Sequence, residues 1–343
     1  IGTQSRYAER GMAAYFNDKF RLMAFGNANN VNDMGFGGGP RGGFGGLRQG
    51  LNASKMLGLN LNYNNNKTFQ WDGSVRWNHS DGDAQTKVSS ENFVATQGSY
   101  GNKISQTYTR SNSWDGRFRM EWTPDSMWNI MFRPTIQLTK SDGNTVKTSA
   151  AYNDDPYEYT DEPLDEEEIS KLNEKGLMVN TQKSTSITYG DATKLGGMVQ
   201  VNRKLGKKGR NITLRVDGDY DDKNSKSFST QDIQYFQLVS ALGGDSTYRA
   251  YRFNTTPTKS WDYSLQATYS EPIADRTYLQ LSYKYKYSFT KSDRSTYDFS
   301  EMPAGTFGGI TPEYRSWNSY LSLLQNPLED YFANDLTRYS EYK

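Results

Sequence analysis

Cysteine is absent from this 343-residue chain. A disulfide framework is therefore excluded, and the absence is compatible with an oxidising envelope compartment. No apolar run approaches the roughly 20 residues of a spanning helix, which excludes a helical inner-membrane protein but not a membrane β-barrel. Charge of one sign is also lacking: 40 Lys+Arg against 39 Asp+Glu leave a formal +1, which argues against a nucleic-acid partner. Hydrophobic residues make up only 34%. That is thin for a soluble core at this length, and ample for a wall in which only alternate residues need be apolar. The opening Ile1-Gly2-Thr3 has neither Met nor an apolar leader stretch. Because a barrel must be exported, the expectation is that Ile1 is not the first translated residue. Tyr331–Lys343 reads as the approach to another strand, so the chain is expected to be a portion of a longer polypeptide.

What the chain does have is two-residue alternation. Leu279, Leu281, Tyr283, Tyr285, Tyr287 and Phe289 share one parity, against Gln280, Ser282, Lys284, Lys286 and Ser288. A strand sends successive side chains to opposite faces, so one face is greasy and aromatic and the other polar. Phe69, Trp71, Gly73, Val75 and Trp77 oppose Gln70, Asp72, Ser74 and Arg76 in the same way. Trp114, Gly116, Phe118, Met120 and Trp122 oppose Asp115, Arg117, Arg119 and Glu121. The pattern recurs over Trp128–Leu138 and Ile212–Tyr220. It predicts an all-β fold: an antiparallel transmembrane β-barrel with lipid outside and a polar lumen. Trp122 and Trp128 flank one turn, where a periplasmic aromatic girdle would lie. An extracellular all-β repeat protein with one buried face is the alternative.

Ten strands are expected: Tyr7–Asn17, Phe20–Ala28, Ser54–Asn64, Thr68–Ser80, Ser105–Thr123, Met127–Lys140, Lys194–Lys204, Asn211–Asp222, Ser260–Ser270 and Thr277–Ser292. Within each pair the connection is short and rich in Asn, Asp, Pro or Gly. Between pairs it is long: Asn29–Ala53, Asp81–Ile104, Ser141–Thr193, Lys223–Lys259 and Asp293 onward. Outer-membrane barrels place short turns in the periplasm and long loops outside. Pro163–Lys175 in one long loop predicts a helix, with acids early, Lys late and Gly176 just beyond.

Three stretches carry a family resemblance. They are Ala13–Leu22 running on through Gly26–Phe36 with its Asn27-Ala28-Asn29-Asn30, the Gly-rich tract Gly37–Gly46, and Arg117–Met127 leading to Phe132-Arg133-Pro134. In these the chain resembles the TonB-dependent-receptor-like outer-membrane β-barrel family of Bacteroidota. The resemblance implies a barrel of roughly 22 strands with a plug domain. It places all of residues 1–343 in the middle of one barrel domain, with signal peptide, plug and closing strands outside this chain. It further implies uptake of a nutrient or chelate, powered by a TonB-like energiser, with outer-membrane lipid as surroundings. A barrel that anchors surface lipoproteins without transport is the alternative function, and a small self-contained pore or surface hydrolase the other.

The candidate functional residues follow from this wall. Arg117, Arg119, Glu121, Arg133, Arg215, Asp217, Asp219, Lys284 and Lys286 are expected to face the lumen. There they set selectivity in a pore, or dock the plug in a gated receptor. Arg41 and Phe44 of the Gly-rich tract, and Tyr235 and Phe236 of the apolar stretch Ile233–Val239, are candidates for loop contact with a ligand or lipoprotein. The tract Gly35–Gly46 lacks the Gly-Lys-Ser/Thr ending of a phosphate loop. The acidic run that includes Asp154, Asp155, Asp161 and Glu162 is a weak candidate for structural Ca²⁺, against a solvated acidic loop. His79, the only histidine, offers a His–Asp pair with Asp81 or Asp83, as in ten-stranded outer-membrane proteases, against a plain interfacial residue. No enzyme activity is expected, and no cofactor apart from that Ca²⁺.

Overall fold

The computed structural model describes residues 6–31, 50–65, 67–95, 97–206, 209–239, 245–274, 276–303, 305–307 and 318–342. Eleven strands run β1 (Ala8–Phe16), β2 (Phe20–Asn29), β3 (Leu51–Asn64), β4 (Phe69–Glu91), β5 (Tyr100–Trp122), β6 (Trp128–Tyr152), β7 (Met178–Lys204), β8 (Asn211–Val239), β9 (Asp245–Ala274), β10 (Thr277–Asp298) and β11 (Phe332–Tyr342). They form one antiparallel sheet in chain order. The expected count of ten is short by β11, which pairs with β10 from Ser288↔Tyr342 to Tyr297↔Phe332. The sheet is open: β1 and β11 are its two edges.

Short turns are held by their own polar side chains. Asn17 Oδ1 accepts from the Phe20 N–H at 2.7 Å and the Lys19 N–H at 3.0 Å. Asn65 Oδ1 accepts from the Thr68 and Phe69 N–H groups, both at 2.9 Å. Asp125 does the same for Met127 (2.7 Å) and Trp128 (3.0 Å). Asn and Asp supply the acceptor that reverses the chain without a partner strand.

The expected long loops need correction. Asp81–Ile104, Ser141–Thr193 and Lys223–Lys259 are mostly strand, because β4 to β9 run on past the alternating segments. β9 has 30 residues and β8 has 29, whereas crossing a bilayer takes about 9–11. At roughly 3.3 Å per residue β9 extends about 100 Å. These extensions are polar on both faces over much of their length, so they lack the two-faced signature while keeping the backbone ladder.

Two small cores stiffen this tall rim. Helix α1 (Glu166–Glu174) starts at Asp165, whose side chain accepts from the Glu167 N–H, and ends at Gly176 with φ +74°. The Leu177 N–H then reaches the Leu172 carbonyl at 3.1 Å, which closes the helix in a left-handed C-terminal turn. Leu172 packs with Ala150, Tyr152 and Met178. The second core joins Ile187, Phe228, Tyr251 and Phe253 to Phe299, Met302, Phe307 and Tyr320 from the connection between β10 and β11. That connection includes the short helix α2 (Asn318–Leu321).

Candidate functional site

Cross-strand register turns the alternation into two continuous surfaces. One row reads Ala13↔Ala24↔Leu59↔Val75↔Gly116↔Ile136↔Leu195↔Tyr220↔Trp261↔Phe289 across ten strands, apolar at every position. One residue over, the opposite face reads Asn60↔Ser74↔Arg117↔Thr135↔Gly196↔Asp219↔Asp262↔Ser288. The apolar face is bare: Trp114 is 52% exposed, Leu281 59% and Tyr283 70%. Its two margins are aromatic. Trp77 packs with Trp114, and Trp261 with Tyr220 and Phe289, on the loop side. Tyr63 stacks on Trp71, and Arg203 lies over the Trp128 ring at 4.7 Å, on the turn side.

The predicted polar-face residues all stand on that face, but they do not form one cluster. Arg119 on β5 reaches Glu121 at 3.1 Å and Asp72 at 3.9 Å. Glu121 also accepts from Gln70 and Asn129, both at 2.8 Å, so its oxygens are committed within the wall. Arg117 and Arg133 have no carboxylate within ion-pair distance among the described residues. With Arg21, Asp72 and Arg119 they line a groove of about 720 Å³. On β8, Arg215 donates to both oxygens of Asp217 at 2.7–3.0 Å, and Ser264 adds a hydrogen bond of 3.3 Å. Asp219 lies over Gly196, where a Cβ would come within 2.4 Å of its Oδ1; only glycine leaves that carboxylate its place. Lys286 sits 5.9 Å from the Tyr342 ring. Lys284 lies across from Gln266 in register.

The sequence reading overlooked Asp221, which takes both Lys223 (2.9 Å) and Lys194 (3.8 Å). Its parity, shared with Asp217 and Asp219, was the available signal. Arg21 was overlooked too, because β2 alternates weakly.

The other candidates fare differently. His79 is mid-strand on β4 rather than near a strand end. Its Nδ1 is 2.7 Å from Asn112 Oδ1 and its Nε2 is 2.8 Å from Asp81 Oδ2, while Arg110 pairs with the other Asp81 oxygen. Both ring nitrogens are therefore occupied, and the neighbouring Ser80 and Ser111 pair on the opposite parity. Asn112, His79, Asp81 and Arg110 together form an Asn–His–Asp–Arg chain on one face of the sheet.

Tyr235 and Phe236 belong to β8, not to a loop. Tyr235 pairs with Asn180 and Ser246, and Phe236 packs against the core around Tyr152. Among the described residues no three His, Asp or Glu side chains converge as a metal centre requires. Asp155 instead caps the short 3₁₀ turn at Pro156, and Asp154 accepts from Tyr159 at 3.5 Å. Arg41 and Phe44 lie outside the described residues.

The rim holds two strongly placed tyrosines. Burial pushes the Tyr152 hydroxyl up to about 12, and it donates to the Pro163 carbonyl at 2.7 Å. Burial, then the adjoining Asp232 carboxylate, raises Tyr251, which donates to both Asp232 oxygens at 2.8 Å. No protein-family model matches the chain, and a search of curated proteins finds no significant relative.

Proposed function

We propose that this chain is wall and rim of an outer-membrane β-barrel that takes up a nutrient or chelate in the manner of a TonB-dependent receptor. The observation that carries the proposal is the bare apolar face, unbroken over β2 to β10 and margined by aromatics. Contiguous exposed apolar surface far above a few hundred Å² requires a covering. A lipid bilayer about 25 Å thick at its apolar centre, with Trp and Tyr at the headgroups, is the covering with that shape. The open edges are closed, on this reading, by further strands of the barrel, since unpaired strand edges are not tolerated in lipid.

The opposite face then lines the lumen. Arg119, Glu121, Arg215 and Asp217 are already paired within the wall, so Arg117, Arg133, Asp219, Lys284 and Lys286 are the groups left for a plug or a solute. The tall rim captures ligand from outside. No covalent chemistry is assigned to the wall.

A barrel that anchors surface lipoproteins is the second reading, and one feature favours it. The tip of the β4–β5 hairpin presents Phe93 and Val94 almost fully exposed, a suitable apolar contact for a protein partner. The test is the native polypeptide purified from the outer-membrane fraction. An intact mass roughly twice the 39.0 kDa of this chain, with uptake abolished by a protonophore, is expected for an energised, plugged receptor. Stoichiometric lipoprotein with no energy-dependent uptake would replace it with the anchoring reading. Recovery in the soluble fraction would sink both.

A further inference from the structure

Toward the loop side the apolar face gives way to charge, on β8 to β10 one same-parity row nearer the turns than on β3 to β6. The first residues of that parity beyond the loop-side margin are Lys55↔His79↔Asn112↔Lys140 on β3 to β6, and Asp222↔Lys259↔Lys291 on β8 to β10. Arg110, Lys226 and several aspartates follow within two steps. Three acids in this collar are taken: Asp81 by Arg110, Asp222 by Lys259 at 3.6 Å, and Asp293 by Lys291 at 3.0 Å. Asp191 lies across from Lys140 but accepts from the Tyr189 hydroxyl. Lys55, Lys140 and Lys226 have no carboxylate within ion-pair distance among the described residues. On the turn-side margin Arg203 lies over the Trp128 ring and Arg210 pairs with Glu271.

We infer that the collar is a contact surface for phosphate-bearing lipid headgroups, with Lys55, Lys140 and Lys226 as its free cations. The inference rests on the membrane reading above: whatever lipid covers the apolar band must bring its headgroup to this level. With strands about 4.8 Å apart, Lys55 and Lys140 stand roughly 14 Å apart around the wall, and Lys226 about 10 Å further. Each therefore serves a separate headgroup. An ammonium on a flexible stem is suited to a mobile phosphate, because it needs no fixed bidentate geometry. The paired acids prevent the collar from repelling phosphate, and they hold their own cations close to the wall.

The experiment uses the native full-length polypeptide, reconstituted in bilayers of phosphatidylcholine mixed with phosphatidylglycerol, and reads the lipid retained on extraction by native mass spectrometry. The native protein is expected to retain the anionic lipid preferentially. The triple change Lys55→Gln, Lys140→Gln, Lys226→Gln is expected to reduce that preference roughly tenfold or more, from three surface lysines. Lys103→Gln with Lys147→Gln, higher on the rim, is expected to leave it intact. Normal insertion with no lipid preference, or a preference that survives the triple change, overturns the collar and leaves the membrane reading standing. Failure of the native protein to enter any bilayer removes the membrane reading, and the collar with it.

Discussion

One face of this sheet is apolar in two places, and only one of them is covered. Around Leu195, Val216, Leu265 and Tyr285 the side chains are 37–47% exposed. Twelve residues further along β8 and β9, on the same parity, Phe228 is 1% and Phe253 3% exposed. Between them runs the charged collar. The covered patch is roofed by Phe299, Phe307 and Tyr320, with Phe307 edge-on to Phe228 at 4.9 Å between centroids and Tyr320 at 4.7 Å. The chain thus supplies its own apolar partner over the upper patch and, among the described residues, none over the band. Identical side-chain chemistry is covered by folding back in one region and left bare in the next.

The largest effect should come from the covered patch. Phe228→Ala removes a ring from a packed aromatic cluster and is expected to cost about 3–5 kcal/mol of rim stability in detergent and bilayer alike. Hydrogen exchange over β8 and β9 would read it. The bare band should behave differently. Leu214→Arg or Leu281→Arg is expected to cost about 2–4 kcal/mol of refolding into bilayers if these lie near the midplane, with Thr213→Arg and Ser282→Arg much milder. Equal costs for the two parities would break the comparison outright, since neither face would then meet lipid.

Two smaller effects sharpen the account of the rim. The Tyr152 hydroxyl is held up to about 12 by burial, so the folded rim keeps a proton that the unfolded chain releases near pH 10. Its contribution is complete below pH 10 and is lost as pH rises toward 12, on the order of 2 kcal/mol in total. Urea midpoints across this window should fall in the native chain and stay flatter in Tyr152→Phe. The smallest effect is Tyr251→Phe, at roughly 1 kcal/mol. Asp232 loses the hydroxyl but keeps Arg249 at 3.1 Å. A cost comparable to Phe228→Ala would mean that the polar network, not ring packing, holds the roof in place.

Legibility in the sequence followed the physics of each region. The alternation of Phe69–Trp77 and Leu279–Phe289 requires one greasy face, and those strands are where the alternation put them. The upper parts of β4 to β9 are polar on both faces, so their strand character came only from the backbone ladder between neighbours. β11 was legible only as the approach to another strand, because its Asn334, Asp335, Arg338 and Glu341 break the pattern. The predicted polar-face residues were legible as a face but not as partners: nothing in the spacing says that Arg119 closes on Glu121 two residues away, or that Arg117 and Arg133 are left over.

What the sequence by itself determined is parity, turn position and the site of one helix. Those are local: a period of two, an Asn or Asp acceptor at three of the reversals, and acids before a Gly at the helix end. Only the tertiary structure decided how tall the strands stand, which apolar patch is roofed, and which charges find a partner. Each of those depends on contacts between segments far apart in the chain, such as Phe228 with Phe307 or Asp221 with Lys194. No local pattern contains the register that brings them together.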